Sequence, residues 1–354
     1  MDAIVLVGGQ GSRLRPLTET TPKQMLPVAG VPFVTHLLLR AREAGIDHVV
    51  LSTSYKAEVF SDHFGDGSAL GIELDYVQET EPLGTGGGIR NVVSSLRAAP
   101  GDPVVIFNGD VLTGHDIAGQ IDAHVQSTAA VTLYLTEVDD PRRFGIVPTD
   151  GHGRVTAFLE KSEHPVTNRI NAGCYVFRRD VIDLIPAGRP VSVERETFPA
   201  LLASDALVRA WVESAYWLDL GTPESFLLGS CDLVRGVVDS PAVPSTGESL
   251  VLGGASVAPD ATLSGGTTVG GHAVVGAGAV LDRCVLFDGA RVGARSRLTN
   301  CVVGRGAFIG DDVALSGVVV GDGARIGAGN ELEAPARVWT NAVLADGVIR
   351  QTVG

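Results

Sequence analysis

The chain has 354 residues and carries 41 acidic against 27 basic side chains, for a formal net charge of −14. This length accommodates two domains that each bury a core. The basic side chains form no cluster, so binding to nucleic acid or to an anionic membrane is disfavoured, because both need concentrated positive charge. No stretch approaches ~20 uninterrupted apolar residues, and no basic segment precedes an apolar one at the N-terminus. We therefore expect neither a membrane span nor a signal peptide.

Cysteine is sparse in this sequence. The four cysteines lie at positions 174, 231, 284 and 301 and form no C-x-x-C pair. This spacing argues against a zinc knuckle and against a redox motif. The low cysteine content predicts a reducing, cytoplasmic compartment.

A glycine-rich stretch comes after the first apolar run, residues 3–7, which predicts a buried strand. The stretch ends in two arginines and consists of Gly8, Gly9, Gly11, Arg13 and Arg15. Glycine lets the backbone approach a polyanion, Arg13 can fork onto phosphate oxygens, and Lys23 can add a point charge. The spacing excludes the Walker pattern, because Lys23 is too far from Gly11, and the dinucleotide fingerprint, because residue 14 is leucine. The stretch predicts a phosphate-handling loop.

Up to about residue 236, short apolar runs alternate with amphipathic segments. The runs lie at residues 3–7, 48–52, 104–107 and 131–135, and helical periodicity marks residues 34–44 and 117–126. This alternation predicts an α/β domain with a mainly parallel sheet. Loops at the carboxyl ends of such strands form the ligand-binding edge, so residues 8–15 and 108–110 should be neighbours. A Pro/Ser-rich connector at 240–245 separates this domain, residues 1–236, from a C-terminal domain, with 237–249 as the linker.

Beyond residue 250, aliphatic residues recur every five or six positions. The repeat positions are Val257, Leu263, Val269, Val275, Leu281, Leu286, Val292, Leu298, Val303, Ile309, Leu315, Val320, Ile326, Leu332 and Val338. Such a hexapeptide repeat predicts a β-helix over residues 250–354, with about three hexads in each coil. Leu281, Leu298, Leu315 and Leu332 are one coil apart and should stack. Cys284 and Cys301 are also one coil apart, and we expect a ladder of small residues there and not a disulfide.

The most specific signal is a set of short motifs in a fixed order. They are GGQGSRLRPLT at 8–18, PK at 22–23, EPLGTGG at 81–87, NGD at 108–110, FGIV at 144–147, EK at 160–161, NAG at 171–173 and WLDLG at 217–221. Across essentially the whole chain, this set resembles the nucleoside-diphosphate-sugar pyrophosphorylases that carry a C-terminal left-handed β-helix. The segments 81–87 and 192–199 are most similar to the mannose-1-phosphate guanylyltransferases, particularly the shorter actinobacterial type. The resemblance implies a Rossmann-like mixed-sheet nucleotidyltransferase domain followed by a left-handed parallel β-helix.

The reaction that the resemblance implies is attack by a sugar-1-phosphate on the α-phosphate of a nucleoside triphosphate, with release of pyrophosphate. The attacking phosphate is already an anion at neutral pH, so no side chain has to deprotonate it, and the protein supplies cations, a metal and alignment. Arg13 is expected to stabilise the triphosphate and the leaving pyrophosphate, Lys23 the α-phosphate or sugar phosphate, and Lys161 the sugar phosphate. Asp110 and Asp219 are expected to bind Mg²⁺, which suits hard carboxylate oxygens.

The resemblance also implies binding residues for each substrate. Those expected at the nucleotide are Leu6, Gly8, Gly9, Gly11, Ser12, Arg13, Gln78, Gly84 and Thr85. Those expected at the sugar phosphate are Gly145, Glu160, Lys161 and Asn171. Glycines at positions 84 and 86–88 would let the base approach closely, although they also suit a flexible loop leading into a helix at residues 89–96.

Alternatives stay open at the level of the substrates and of the second domain. GTP with mannose-1-phosphate is the favoured pair, against dTDP-, UDP- or ADP-glucose synthesis, a cyclitol phosphate, or a non-catalytic homologue that binds a nucleotide sugar. The β-helix is expected to mediate homo-oligomerisation, as a dimer or tetramer. Hexapeptide repeats also build acyltransferases that use a histidine base, but His272 lies within a short hexad and not on an extended loop. The other histidines show no metal-ligand spacing.

Overall fold

The computed structural model describes the whole chain except residues 55, 160–162, 244 and 350–354. The chain divides into two compact units. The first comprises Met1–Gly9 and Leu37–Trp217, and the second comprises Gln10–His36 and Leu218–Gly354. The predicted phosphate-handling loop, from Gln10 onward, therefore belongs to the same unit as the C-terminal repeats.

The strands and helices up to residue 235 alternate as the sequence predicts. In chain order they are β1 (Asp2–Leu6), β2 (Pro27–Val28), β3 (Val31–Pro32), α1 (Phe33–Glu43), β4 (His48–Thr53), α2 (Glu58–Phe64), β5 (Glu73–Gln78), α3 (Gly84–Asn91), β6 (Pro103–Asn108), β7 (Val111–Thr113), α4 (Ile117–Val125), β8 (Val131–Glu137), β9 (Arg169–Arg178), α5 (Arg179–Ile182), α6 (Phe198–Ala203), β10 (Val208–Val212), β11 (Trp217–Asp219) and α7 (Pro223–Arg235). A π-helical turn, Val193–Thr197, leads directly into α6. Each of the four predicted strands is present, with ends that differ by one or two residues.

A seven-stranded mixed sheet forms the centre of the first unit, in the order β10-β8-β9-β6-β1-β4-β5. β1 pairs in parallel with both β4 and β6. β9 pairs antiparallel with both β6 and β8, which makes the sheet mixed. β4 is buried along its whole length, as expected for a strand covered on both faces. The core of this unit contains the fully buried rings of Tyr175, Phe177 and Phe198.

The helix expected at residues 89–96 is shifted in the structure. α3 begins at Gly84 and ends at Asn91, so the glycines expected in a flexible loop lie inside the helix. A Cβ on Gly86 would lie 2.9 Å from Val191 Cγ1, and one on Gly87 would lie 2.9 Å from the carbonyl oxygen of Arg189. The close approach of the segment around Val191 outweighs the poor helix propensity of glycine. The expectation of a loop was wrong for this reason.

The second unit contains a left-handed parallel β-helix made of very short strands. In chain order they are β12 (Ser249–Val251), β13 (Ser256–Val257), β14 (Thr262–Ser264), β15 (Thr267–Val269), β16 (Val274–Val275), β17 (Val280–Asp282), β18 (Val285–Leu286), β19 (Arg291–Val292), β20 (Arg297–Thr299), β21 (Val302–Val303), β22 (Phe308–Ile309), β23 (Ala314–Ser316), β24 (Val319–Val320), β25 (Arg325–Ile326), β26 (Glu331–Glu333), β27 (Arg337–Val338) and β28 (Val343–Leu344). They form three parallel sheets of six, six and five strands.

The predicted repeat positions build the core of the β-helix. Those from residue 269 onward are buried together: Val269, Val275, Leu281, Leu286, Val292, Leu298, Val303, Ile309, Leu315, Val320, Ile326, Leu332 and Val338. Leu281, Leu298, Leu315 and Leu332 are successive partners in one sheet, which confirms the predicted stack. Cys284 and Cys301 are buried free thiols, as expected. Among the described helices, none combines the length and apolar character needed to cross a membrane.

Candidate functional site

The end of β1 and the turn after β6 lie side by side in the first unit. Leu6 pairs with Asn108, and the Gly109 N–H donates to the Leu6 carbonyl oxygen at 3.0 Å. A Cβ at Gly109 would lie 2.7 Å from that oxygen, so only glycine allows this approach. Asp110 is the next residue in the chain. The strands that lead into the first glycine turn and into the Asn-Gly-Asp motif therefore end side by side, and the predicted contact between residues 8–15 and 108–110 stays a prediction.

The first two glycines of the loop, Gly8 and Gly9, pack close to Ser54, the residue that follows β4. A Cβ at Gly8 would lie 3.1 Å from Ser54 Oγ, and the Gly9 N–H donates to the same oxygen at 3.4 Å. Gly9 has φ of +102°, which side chains rarely adopt. Both glycines therefore keep backbone exposed where the sequence predicts contact with phosphate.

A second group of predicted residues lies around β9. The Asn171 N–H donates to the Gly145 carbonyl oxygen at 3.0 Å, so two of the predicted sugar-site residues are neighbours. The Asn171 side chain is also held, since Nδ2 donates to Tyr175 Oη at 2.8 Å and Oδ1 accepts from the Gly173 N–H at 3.2 Å. Burial raises the pKa of Tyr175 well above its usual value, so this phenol remains a neutral hydrogen-bonding group. Asn171 is thus fixed in orientation before any ligand arrives.

Next to β9, Asn108 carries a buried amide oxygen. Among the described residues, its Oδ1 atom is buried without a hydrogen-bond partner. A Cβ at Gly173 would lie 3.0 Å from Asn108 Nδ2, and Gly173 has φ of +82°. The backbone turn at Gly173 therefore makes room for Asn108, which no sequence pattern assigned to a substrate.

The predicted base-binding loop is held by Glu79, a residue that no sequence pattern marked. Gln78 is exposed at the end of β5, and Glu79 comes after it half-buried. The Glu79 Oε2 atom accepts from the Leu83 N–H at 3.2 Å, and Oε1 would lie 2.8 Å from a Cβ on Gly88. Burial raises the pKa of this carboxyl. Gly84 begins α3 with φ of +69°, and a Cβ there would lie 2.7 Å from the Val191 carbonyl oxygen.

A cavity of about 550 Å³ opens beside these elements in the first unit. Its lining consists of Thr85, Gly145, Phe158, Leu159, Ser192, Glu194, Arg195 and Pro199. The Thr85 hydroxyl donates to Glu194 Oε2 at 2.9 Å and accepts from the Val193 N–H at 2.9 Å. Ser192 Oγ also donates to Glu194 Oε2, at 2.9 Å. Thr85, predicted at the nucleotide, therefore contacts the segment that carries Glu194 and borders the same cavity as Gly145.

Two predicted sugar-site residues cannot be placed in this cavity. Glu160 and Lys161 lie outside the described residues. Leu159, their neighbour in the chain, lines the cavity. Glu194 stood out in the sequence only as part of the 192–199 motif, because a lone acidic residue in a connecting segment carries no local signal for a ligand.

The predicted phosphate-handling loop lies in the second unit from Gln10 onward. Gly11 has φ of +59° and begins a 3₁₀ turn, Ser12–Leu14. The Gly11 carbonyl oxygen accepts from the Leu14 N–H at 2.9 Å and from Thr18 Oγ1 at 2.8 Å. A Cβ on Gly11 would lie 3.1 Å from the Cβ of Lys23, so the loop and Lys23 are packed together.

Arg13 and Asp219 both belong to the second unit, and the side chains of both approach Gly221. A Cβ at Gly221 would lie 2.9 Å from Asp219 Oδ1 and 3.1 Å from Arg13 Cζ. Three predicted catalytic residues, Arg13, Lys23 and Asp219, are thus brought to one loop region of the second unit. Asp110 belongs to the first unit.

Comparison with known proteins identifies the family. The family model described as "Nucleotidyl transferase" matches residues 2–235, about two thirds of the chain. The chain belongs to the nucleotidyl transferase family. A second model, described as "GMPPB C-terminal domain", matches residues 245–352 of this nucleotidyl transferase.

Several named proteins are similar to this nucleotidyl transferase. The mannose-1-phosphate guanylyltransferase of Mycobacterium tuberculosis is 60% identical over 352 residues, covering 99% of this chain and 97% of that protein. Mannose-1-phosphate guanylyltransferase 1 of Arabidopsis thaliana is 34% identical, with 82% of each chain covered. The crystal structure of HddC from Yersinia pseudotuberculosis complexed with GMP-PN is 28% identical, with a TM-score of 0.55, and covers 65% of this chain and 97% of that one.

A further solved structure supports the fold alone. It is a putative glucose-1-phosphate thymidylyltransferase from Bacillus anthracis, 22% identical with a TM-score of 0.59, covering 65% of this chain and 94% of that one. Nucleotidyl transferases generally use a divalent metal. In the part of this nucleotidyl transferase that the structure describes, no group of three or more His, Cys, Asp or Glu side chains could hold a metal ion. The donor set that the sequence predicts, two carboxylates, instead suits an ion that fills its coordination with phosphate and water.

Proposed function

We propose that this nucleotidyl transferase makes GDP-mannose and pyrophosphate from GTP and mannose-1-phosphate. The observation that carries the proposal is the 60% identity to the Mycobacterium tuberculosis mannose-1-phosphate guanylyltransferase across 99% of the chain. The similarity to a solved structure complexed with GMP-PN supports a guanine nucleotide.

In the proposed reaction, an oxygen of mannose-1-phosphate forms a bond to the α-phosphorus of GTP. The bond from that phosphorus to the bridging α–β oxygen breaks, and its electron pair leaves with pyrophosphate. Negative charge therefore accumulates on the leaving group, and Arg13 is placed on a glycine-bounded loop from which its guanidinium can fork onto those oxygens. Lys23, packed against the same loop, supplies a second positive charge for the α-phosphate or sugar phosphate.

Mg²⁺ is the proposed metal, with Asp110 and Asp219 as its candidate carboxylates. Mg²⁺ usually binds one or two carboxylates together with phosphate oxygens and water, so Asp110 and Asp219 would suit it as ligands. When bound, it supplies neutralising charge to the phosphates. The protein's own contribution is the closely packed turn at Gly109 that precedes Asp110, and the packing of Gly221 beside Asp219.

The cavity bordered by Gly145 and Glu194 is the proposed sugar-phosphate site. Its volume, about 550 Å³, lies within the usual range for small-molecule sites. Glu194 is held there by the hydroxyls of Thr85 and Ser192, and a carboxylate accepts hydrogen bonds from sugar hydroxyls. Lys161, close in sequence to Leu159 of the lining, is the proposed partner of the sugar phosphate, with Glu160 and Asn171 at its hydroxyls.

A substrate grid tests the proposed function. Purified protein with Mg²⁺ is assayed for pyrophosphate release with each common nucleoside triphosphate against mannose-1-phosphate, glucose-1-phosphate and a cyclitol phosphate. We expect GTP with mannose-1-phosphate to give the highest kcat/KM. A higher value for another pair would reassign the substrates, and no release with any pair would support a non-catalytic role.

We also infer a cytoplasmic enzyme that assembles through the β-helix as a dimer or tetramer. All four cysteines are buried and free, which suits a reducing compartment. Trp339 is 50% exposed and Val343 is 69% exposed on the last coil, and such apolar side chains suit contact with a second copy. Light scattering coupled to size exclusion measures the oligomeric state, and a monomer at micromolar concentration would contradict the inference.

A further inference from the structure

The β-helix carries a set of aspartates that each bond to the coil before their own. In every case Oδ1 accepts a backbone N–H at 2.8 Å, and the pairs are Asp288 with Gly271, Asp311 with Ala294, Asp322 with Arg305, and Asp346 with Ala328. This bond joins adjacent coils and accounts for the presence of aspartate at each position. Asp322 is the half-buried member of the set, while the other three are exposed.

Asp322 uses its second oxygen on the phosphate-handling loop, whose C-terminal continuation runs through Thr20 to residue 22. Thr20 Oγ1 donates to Asp322 Oδ2 at 2.7 Å, although 302 residues separate the two in the chain. By contrast, the second oxygen of Asp311 lies 4.0 Å from Arg295 Nη2, on the β-helix itself. The contact with Thr20 is therefore additional to the bond that joins the coils.

A second side chain of the β-helix reaches the same loop. Arg337, on β27, donates from Nη1 to the carbonyl oxygen of Arg15 at 2.5 Å. Arg15 is two residues after Arg13, and Thr20 is seven after it. The two contacts therefore hold the backbone on the C-terminal side of Arg13 at separate points.

The loop needs such support because its N-terminal side is rich in glycine. Gly9 and Gly11 adopt positive φ, and glycine leaves a chain many alternative conformations. Internal bonds from Leu14 and Thr18 to the Gly11 carbonyl oxygen close one turn, but they do not orient that turn relative to the rest of the unit. The bonds to Asp322 and Arg337 do, because both residues belong to the rigid stack of coils.

We propose that Asp322 and Arg337 are positioning residues for the nucleotidyl transfer, which hold the loop so that Arg13 is presented to the triphosphate. The β-helix then contributes to transition-state stabilisation in its own chain through the position of Arg13, in addition to any role in assembly. This inference rests on the proposed function for the role of Arg13. The hydroxyl-to-carboxylate bond at 2.7 Å is charge-assisted, which makes it stronger than a neutral hydrogen bond.

The test compares Thr20→Val, Asp322→Ala and the control Asp311→Ala. Asp322→Ala and Asp311→Ala each remove one bond between coils, but only Asp322→Ala also removes the bond to the loop. We expect Thr20→Val and Asp322→Ala to lower kcat/KM for GTP about tenfold, since a misplaced Arg13 loses contact with the triphosphate. The KM for mannose-1-phosphate should stay within about twofold of the wild type. Asp311→Ala should match the wild type in both constants. Equal activities for Asp322→Ala and Asp311→Ala would overturn the proposal.

A double-mutant cycle and a guanidinium series separate positioning from folding. The double variant T20V/D322A should be no less active than D322A, because both changes remove the same bond. Arg337→Met should lower kcat/KM for GTP, Arg337→Lys should restore part of it, and the control Arg291→Met on another strand should have no effect. Additive losses in the cycle, or equal losses for Arg337→Met and Arg291→Met, would contradict the proposal.

Hydrogen exchange gives a readout that does not depend on activity. In full-length protein without substrates, Asp322→Ala and Thr20→Val should speed amide exchange in residues 12–22, whereas Asp311→Ala should not. Unchanged exchange in residues 12–22 would refute the loop contact itself. Faster exchange in these variants, with a wild type that releases no pyrophosphate from any substrate pair, would instead contradict the proposed function and leave the contact standing.

Discussion

Gly221 offers a way to displace Arg13, the arginine proposed to stabilise the leaving pyrophosphate, without replacing it. A Cβ at this position would lie 2.9 Å from Asp219 Oδ1 and 3.1 Å from Arg13 Cζ, with a guanidinium nitrogen of Arg13 closer still. Gly221 does not occupy the left-handed region, so alanine adds no backbone strain. The Gly221→Ala substitution should therefore leave the fold intact and move only the ends of two side chains.

The distances set the size of the effect. The guanidinium must retreat by about 1 Å to reach ordinary contact distance, and a displacement of that size in a catalytic group costs about 100-fold in rate, or about 2.7 kcal/mol. We expect kcat/KM for GTP to fall by about this factor. Gly253→Ala is the matched control, because a Cβ there meets open space in the same unit.

Steady-state pyrophosphate release measures the loss, and thermal unfolding verifies that the variants are folded. In an Arg13→Ala background, Gly221→Ala should have a much smaller effect, because the group that it displaces is gone. The remaining effect then measures the displacement of Asp219. Activity of Gly221→Ala within about twofold of the wild type, or an equal loss in both backgrounds, would refute the assigned role of Arg13 beside Gly221.

Other substitutions test the remaining assignments. Arg13→Ala should lower turnover by orders of magnitude with an unchanged melting temperature, and near-normal turnover in the pyrophosphate assay would remove its catalytic role. Asp110→Asn should shift the Mg²⁺ titration of activity to higher concentration, and an unchanged titration would count against it as a ligand. Glu194→Gln should raise KM for the sugar phosphate about tenfold with KM for GTP unchanged, and the opposite pattern would move Glu194 to the nucleotide. His124 is buried against Thr132, and burial lowers its pKa to about 4. On acidification, His124 is therefore protonated in the unfolded chain before it is protonated in the folded one. The free energy of unfolding then falls as the pH drops below about 6.5. Denaturant unfolding measures how far the free energy of unfolding falls between about pH 7.5 and about pH 5.5. This decrease should be about 1.3 kcal/mol smaller in His124→Gln than in the wild type. An equal decrease in both proteins would show that His124 does not titrate in this way.

The sequence alone predicts the β-helix down to individual contacts. Leu281, Leu298, Leu315 and Leu332 stack as their spacing indicates, because a solenoid repeats one local environment and each coil buries the same position. The buried strands of the first domain are also predictable, since short apolar runs indicate strands covered on both faces. The glycine and acidic motifs that identify the family likewise lie in short local stretches.

The tertiary structure decides the contacts between distant segments. It shows that α3 begins within the glycines and that Thr20 bonds to Asp322. It also shows that Glu79 accepts a hydrogen bond from Leu83 and that Glu194 accepts one from Thr85. None of these can be read from periodicity, because a hydrogen bond between residues 302 apart leaves no local pattern in either segment. Local sequence determines which segments are buried and how the buried aliphatic residues are spaced. Only the folded chain brings the phosphate-handling loop against one aspartate among four similar ones, because that choice depends on packing between segments that are remote in sequence.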